Sequence, residues 1–175
     1  MASTWIIDGF NLIRQSKDLA NVENKKFEQA QLELIARLRE FAELSGEKIL
    51  CVFDHGGSVE FHRTEEYFGP VTAIYTRGGE IADEVIIELA REKKQAAIVV
   101  SSDRMVAEGS RKAGASAMSA SEFDRILFRI HHGQSVNGRN EDEGFDPKKG
   151  TQKKGPSHRR AKKDRKVYGK IKKLF

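Results

Sequence analysis

The sequence predicts an α/β fold of three layers, in which a mainly parallel sheet is covered by helices on both faces. Short apolar runs rich in β-branched and aromatic residues alternate along the chain with stretches of helical period, the pattern of βαβ units. Three of those runs, in "WIIDGFN", "ILCVFDHGG" and "AIVVSSD", finish on an aspartate. Strand–helix–strand connections are right-handed, so the carboxyl ends of the strands open onto one edge. In open α/β sheets that edge is where ligands bind, which makes Asp8, Asp54 and Asp103 topologically equivalent and able to converge.

Each element follows from its residues. Residues 4–8 and 48–54 ("KILCVFD") read as buried strands. Between them Phe27, Gln31, Leu34, Ile35, Leu38, Phe41 and Ala42 share one face of a helix, while Glu28, Glu33, Arg37 and Glu40 face outward. "VTAIYT" (71–76) reads as a strand, 81–94 as a helix with Ile81, Val85, Leu89 and Ala90 inward, and "AAIVV" (96–100) as a strand. A helix near 104–113 follows, then "ASAMS" and a helix at about 120–131, whose start is marked by Ser119 and Glu122 at the spacing of a capping box.

At 175 residues the chain is long enough for one self-sufficient core with an appendage. Its organisation predicts a domain over 1–133 and a basic, flexible extension over 134–175. The extension carries 14 Lys and Arg against 5 Asp and Glu, a net of +9, whereas residues 1–133 carry 17 against 21. Lys148, Lys149, Lys153, Lys154, Arg159, Arg160, Lys162, Lys163, Arg165 and Lys166 form the dense part, suited to neutralising the phosphates of RNA. At the end, Val167, Ile171, Leu174 and Phe175 can share a helical face, which Gly169 weakens. The opening "MASTWIIDG" lacks a basic n-region and no apolar run approaches membrane-spanning length, so a cytoplasmic protein that does not engage a membrane is expected. The single cysteine, Cys51, lies in a strand pattern and reads as a buried structural thiol.

Asp8, Asp54, Asp83 and Asp103 are the candidate metal ligands. Carboxylates crowded at a partly buried edge repel one another, and a hard divalent cation, Mg²⁺ or Mn²⁺, relieves the repulsion while leaving room for water and a phosphate oxygen. Such a site can hydrolyse phosphodiesters. Three of the acids also have an ordinary alternative: Asp103 as a helix N-cap, Asp54 as a turn former, Asp83 as a partner of a helix dipole. Asn11 is suited to orienting an aspartate or a water. Of the two serines before Asp103, Ser102 is assigned the supporting role and Ser101 an ordinary backbone bond.

The pieces "IIDGFNLI", "VFDHGG", "YTRGGEIADEVI", "VVSSDR" and "GASAMSASEF" together resemble the NYN domains, in particular the YacP-like group, within the wider set of PIN-like ribonucleases. The resemblance spans nearly all of residues 5–123. It implies a PIN-like fold and a metal-dependent endoribonuclease acting on single-stranded RNA, with catalytic positions at Asp8, Asn11, Asp54, Asp83 and Asp103. Glu84 stands ready to supplement or replace Asp83. One departure is His55, which follows the acid where relatives have glycine and bears on substrate access. Messenger RNA and the ribosome are the partners such a protein with a basic extension would meet.

Two other classes compete: a non-catalytic module binding RNA or the ribosome, and a metal-dependent phosphohydrolase of small molecules. The histidines show no metal-ligand spacing with cysteine. "EDEGFD" fails as a calcium loop, since Gly144 at the sixth position puts Arg139 first and Gly150 twelfth. The absence of a GxGxxG or phosphate-loop lysine motif argues against a nucleotide-cofactor enzyme.

Overall fold

The computed structural model describes residues 3–23, 26–54, 61–133, 169 and 171. His55 and the ten Lys and Arg residues from Lys148 to Lys166 assigned to RNA lie outside the described residues. The chain runs β1 (Thr4–Asp8), α1 (Gly9–Gln15), α2 (Lys17–Glu23), α3 (Phe27–Ser45), β2 (Lys48–Phe53), β3 (Thr64–Phe68), β4 (Val71–Tyr75) and α4 (Ala82–Lys93). It continues through β5 (Ala97–Val100), α5 (Arg104–Lys112), β6 (Ser116–Met118) and α6 (Ala120–His131). The six strands form one sheet in the order β3-β4-β2-β1-β5-β6, parallel throughout except for β3, which pairs antiparallel with β4 at the edge.

Two apolar clusters cover the faces of this sheet, and the strands supply them alternately. Trp5, Ile7, Ile49, Cys51, Phe53, Ile98 and Val100 point into the larger cluster with α1, α3 and α6. Ile6, Val52, Ile74, Ala97 and Val99 point into the smaller one with α4 and α5. A strand buried on both faces therefore reads as an unbroken apolar run, the signal seen in the sequence. Trp5 anchors the larger cluster, stacked on Phe123 at 5.1 Å and edge-on to Phe41 at 5.0 Å. Ile171, from the predicted extension, is helical and 4% exposed within the same cluster.

The observed strands and helices match the predicted ones at β1, β2, β4, β5 and α3 to α6. Ser119 caps α6 as its spacing indicates, accepting from the Glu122 N–H and donating to the Glu122 carboxylate at 2.7 Å. Three details differ. Arg37 is buried instead of facing outward, because Glu33 bonds its guanidinium at 3.2 Å and Asp18 of α2 approaches it at 3.9 Å. Phe27 and Ile81, assigned to inward faces, are 36% and 50% exposed, since each stands at the open start of its helix. The elements α1, α2 and β3 had no counterpart in the sequence reading, and the short segment "ASAMS" contains the strand β6. Cys51 is buried, and that burial pushes its thiol well above the ordinary range, which suits an inert structural role.

Candidate active site

The sheet order reverses direction between β1 and β5. The chain leaves β1 into α1 on one face and leaves β5 into α5 on the other, so a crevice opens where the two connections part. Asp8 ends β1 and N-caps α1, and Asp103 follows β5 and N-caps α5. Asp54 follows β2 directly, and Asp83 sits in the first turn of α4, the helix after β4. All four line one cavity of about 510 Å³, together with Asn11. Phe10, Arg14 and Ile81 form other parts of its wall.

Local chemistry fixes each side chain. Asp8 accepts the Asn11 backbone N–H at 3.2 Å and the Ser101 hydroxyl at 2.9 Å. The same Ser101 oxygen accepts the Asp103 N–H at 3.1 Å, so one hydroxyl ties the ends of β1 and β5 together. Asn11 takes the Ser102 N–H on its side-chain oxygen at 2.8 Å, which leaves its NH₂ as the donor at the cavity wall. Thr76 donates its hydroxyl to Asp54 at 3.3 Å. Asp103 accepts from the N–H groups of Met105 and Val106, at 2.7 and 3.1 Å. The capping alternative for Asp103 is thus true as well: the acid serves the helix and lines the cavity at once. Gly9 completes the turn after Asp8, where a Cβ would collide with the Phe53 ring.

Crowding leaves an electrostatic trace. Burial pushes the Asp8 carboxyl above the ordinary aspartate range, and Asp83 and Asp103 push it further, against the lowering effect of its two hydrogen bonds. Asp83 is raised too, first by burial, then by Asp103, Asp54 and Glu84. Among the described residues, no three His, Cys, Asp or Glu side chains stand close enough to make a ready-formed metal cage. A wide acidic cavity of this kind matches a hard cation that keeps several of its waters and takes few carboxylates, as Mg²⁺ does. The donor set, all oxygen, fits Mg²⁺ or Mn²⁺ and not a soft metal.

The two serines take each other's expected places. Ser101, given only a backbone bond by the sequence reading, holds the Asp8 carboxylate, while the Ser102 hydroxyl accepts the Ala120 N–H at the start of α6, at 3.1 Å. Ser102 supports the site through its main-chain N–H on Asn11. Glu84 is exposed and is not part of the cavity wall, whereas its neighbour Asp83 is. Arg14 is a wall residue that sequence reasoning missed, and its only signal is its place one turn of helix beyond Phe10.

A mainly parallel sheet with acids gathered over the carboxyl ends of its strands defines a PIN-like α/β protein. The sequence profile of the YacP-like NYN domain matches residues 5–173, and the chain belongs to that family. NYN-domain proteins are generally nucleases and typically use divalent metals. An uncharacterised protein, YacP of Bacillus subtilis, is 30% identical over 86 residues, 49% of this chain and 50% of that protein, so the chain spans about half the length of the curated relative it matches. The crystal structure of Rae1 (YacP) from Bacillus subtilis is similar, with a TM-score of 0.61 and 27% identity over 75% of this chain and 76% of that one. A single-substitution mutant of the same protein gives a TM-score of 0.62 and 26% identity, over 75% and 78% of the two chains. Among the described residues no helix is long and apolar enough to cross a membrane.

Proposed function

We propose that this protein is an endoribonuclease that hydrolyses phosphodiester bonds in single-stranded RNA, with a hydrated Mg²⁺ or Mn²⁺ held in the cavity that Asp8, Asp54, Asp83 and Asp103 line. The observation that carries this is the gathering of four carboxylates on one cavity, three from strand ends and one from the first turn of α4, with Asp8 and Asp83 raised by burial and mutual repulsion. A divalent cation bound there supplies the acidified water and the charge neutralisation that phosphodiester hydrolysis needs. The chain's own residues do the positioning. The Ser101 hydroxyl and the Asn11 N–H hold Asp8 in one orientation, Thr76 does the same for Asp54, and the helix N–H groups hold Asp103. The Asn11 NH₂, its oxygen engaged by Ser102, is a neutral donor for a phosphate oxygen or a water.

An acidic cavity repels a polyanion, and the +9 segment over 134–175 supplies the attraction that residues 1–133 lack. Messenger RNA, free or on the ribosome, is the proposed substrate, and the cytoplasm is the proposed location. Purified protein incubated with single-stranded RNA and Mn²⁺ should cut it, chelator should stop the cutting, and Asp83→Asn should prevent it. Cleavage that continues through both treatments overturns the metal-dependent reading. Binding without any cleavage, lost on truncation after Gly133 and indifferent to Asp83→Asn, would make the protein a non-catalytic RNA-binding module.

A further inference from the structure

The acidic cavity runs on into a second one of about 500 Å³, and the two share Phe10, Arg14 and Asp54. The second lies within the roughly 300–1,000 Å³ of small-ligand sites, and its chemistry differs from the first. Phe10 and Phe27 are stacked, 4.8 Å apart and 16° from parallel, and Phe10 stands edge-on to Phe53 at 5.9 Å. Phe53 in turn stacks on Tyr75 at 5.7 Å, so aromatic rings run from the start of α3 across to β4. Phe27 belongs by period to the buried stripe of α3 yet is 36% exposed beside this cavity.

Arg14 stands at the seam. Its guanidinium lies over the Phe10 ring, 5.7 Å from the centre, and its side chain is 69% exposed with a loose 3.9 Å contact to Glu23. Among the described residues that line the two cavities it is the one cation. Glu23 and Glu28 on the wall of the second cavity disfavour a phosphate inside it. A flat, neutral ring with a polar edge suits the exposed aromatic face, and Gln31 offers an amide to such an edge.

Building on the reading of the acidic cavity as an RNA hydrolase site, we propose that the second cavity is a base-stacking subsite. The nucleobase next to the scissile phosphate stacks on Phe27, and Arg14 neutralises the phosphate that joins the two positions. Stacking accepts every base face, so this subsite sets the register of the strand without demanding a sequence.

The test uses a dodecamer of uridine carrying one central 2-aminopurine, titrated with the full chain in chelator and followed by fluorescence over a series of salt concentrations. The wild-type chain quenches the label on binding. Phe27→Ala weakens that binding about 5- to 150-fold, the span set by stacking energies of about 1–3 kcal/mol per base, and Phe27→Tyr restores it. Arg14→Ala lowers the salt slope by about one. No binding, binding without a quench, or wild-type affinity in Phe27→Ala each overturns the subsite. Adding Mn²⁺ to the same mixtures separates the two readings. A strand quenched through Phe27 yet left intact keeps the subsite and rejects the hydrolase, and cleavage without a Phe27-dependent quench does the reverse.

Discussion

Glu80 and Asp83 stand three residues apart at the start of α4, and their carboxylates meet opposite surroundings. Glu80 is taken up by Arg63, which also bonds Glu88, and by Arg77. Hydrogen bonds from Arg63 hold its carboxyl below the ordinary glutamate range. Asp83 instead faces Asp103 and Asp54 across the cavity, and burial with those charges holds it above the ordinary aspartate range. Charge neutralised by arginines within the protein makes a structural corner. Charge left without an arginine partner, in a cavity wide enough for a hydrated ion, is what the proposed cation would neutralise.

The largest effect on this contrast should come from Asp83→Asn. RNA cleavage should fall on the order of 10²–10⁴-fold, since charge stabilisation by a metal is worth several kcal/mol. Its melting temperature in chelator should equal or exceed that of the wild type, because the substitution removes a repelled carboxylate; a clear drop would mean that Asp83 is structural. Ser101→Ala should reduce cleavage about 10- to 100-fold, as loss of a hydrogen bond that orients a metal ligand does. Ser102→Ala, measured beside it, should cost about 1 kcal/mol of stability through the lost bond to α6 and leave the rate nearly unchanged. Equal rates in the two serine variants would contradict the exchange of roles.

On the structural side of the contrast, Glu80→Gln should destabilise the fold by about 1–3 kcal/mol in urea titrations, with cleavage per folded molecule preserved. The smallest effect is in pH. Asp8 and Asp83 have raised values in the folded state, so their contribution to stability is full below the ordinary aspartate pKa and is lost as pH rises through the raised values. Glu80 is lowered, so its contribution is full above the ordinary glutamate pKa and is lost as pH falls through the lowered one. In chelator, the stabilising effect of Asp83→Asn should therefore grow as pH rises from about 4, and the penalty of Glu80→Gln should shrink below about 4. Melting curves of the three proteins across pH check both trends.

Much of this was legible before any coordinates. Runs such as "WIIDG" and "AAIVV" announce doubly covered strands, and Ser119 with Glu122 marks the start of α6. The helices α1 and α2 escaped because seven residues each give too little period to read, and the N-cap of α1 is an acid that the chemistry had already claimed. The strand β3, "TEEYF", is an exposed edge strand whose charged residues hide the alternation of a half-buried one. Arg37 looked like an outward charge because its partner Asp18 belongs to one of the unseen helices. Asp8, Asp54 and Asp103 were found by their shared position at strand ends and Asp83 by its place at the start of a helix, but adjacent serines leave a strand toward opposite sides, and sequence alone does not say which reaches Asp8.

The place of β1, hydrogen-bonded to β2 on one side and to β5 on the other, also fixes a timetable. The strand β1 cannot be flanked on both sides until residues 97–100 have been made, so the central seam of the sheet closes only after β2, β3 and β4 have been synthesised. A nascent chain halted before β5 would expose the Thr4–Ile7 backbone along one side, a sticky edge that a chaperone or a neighbouring chain would find first.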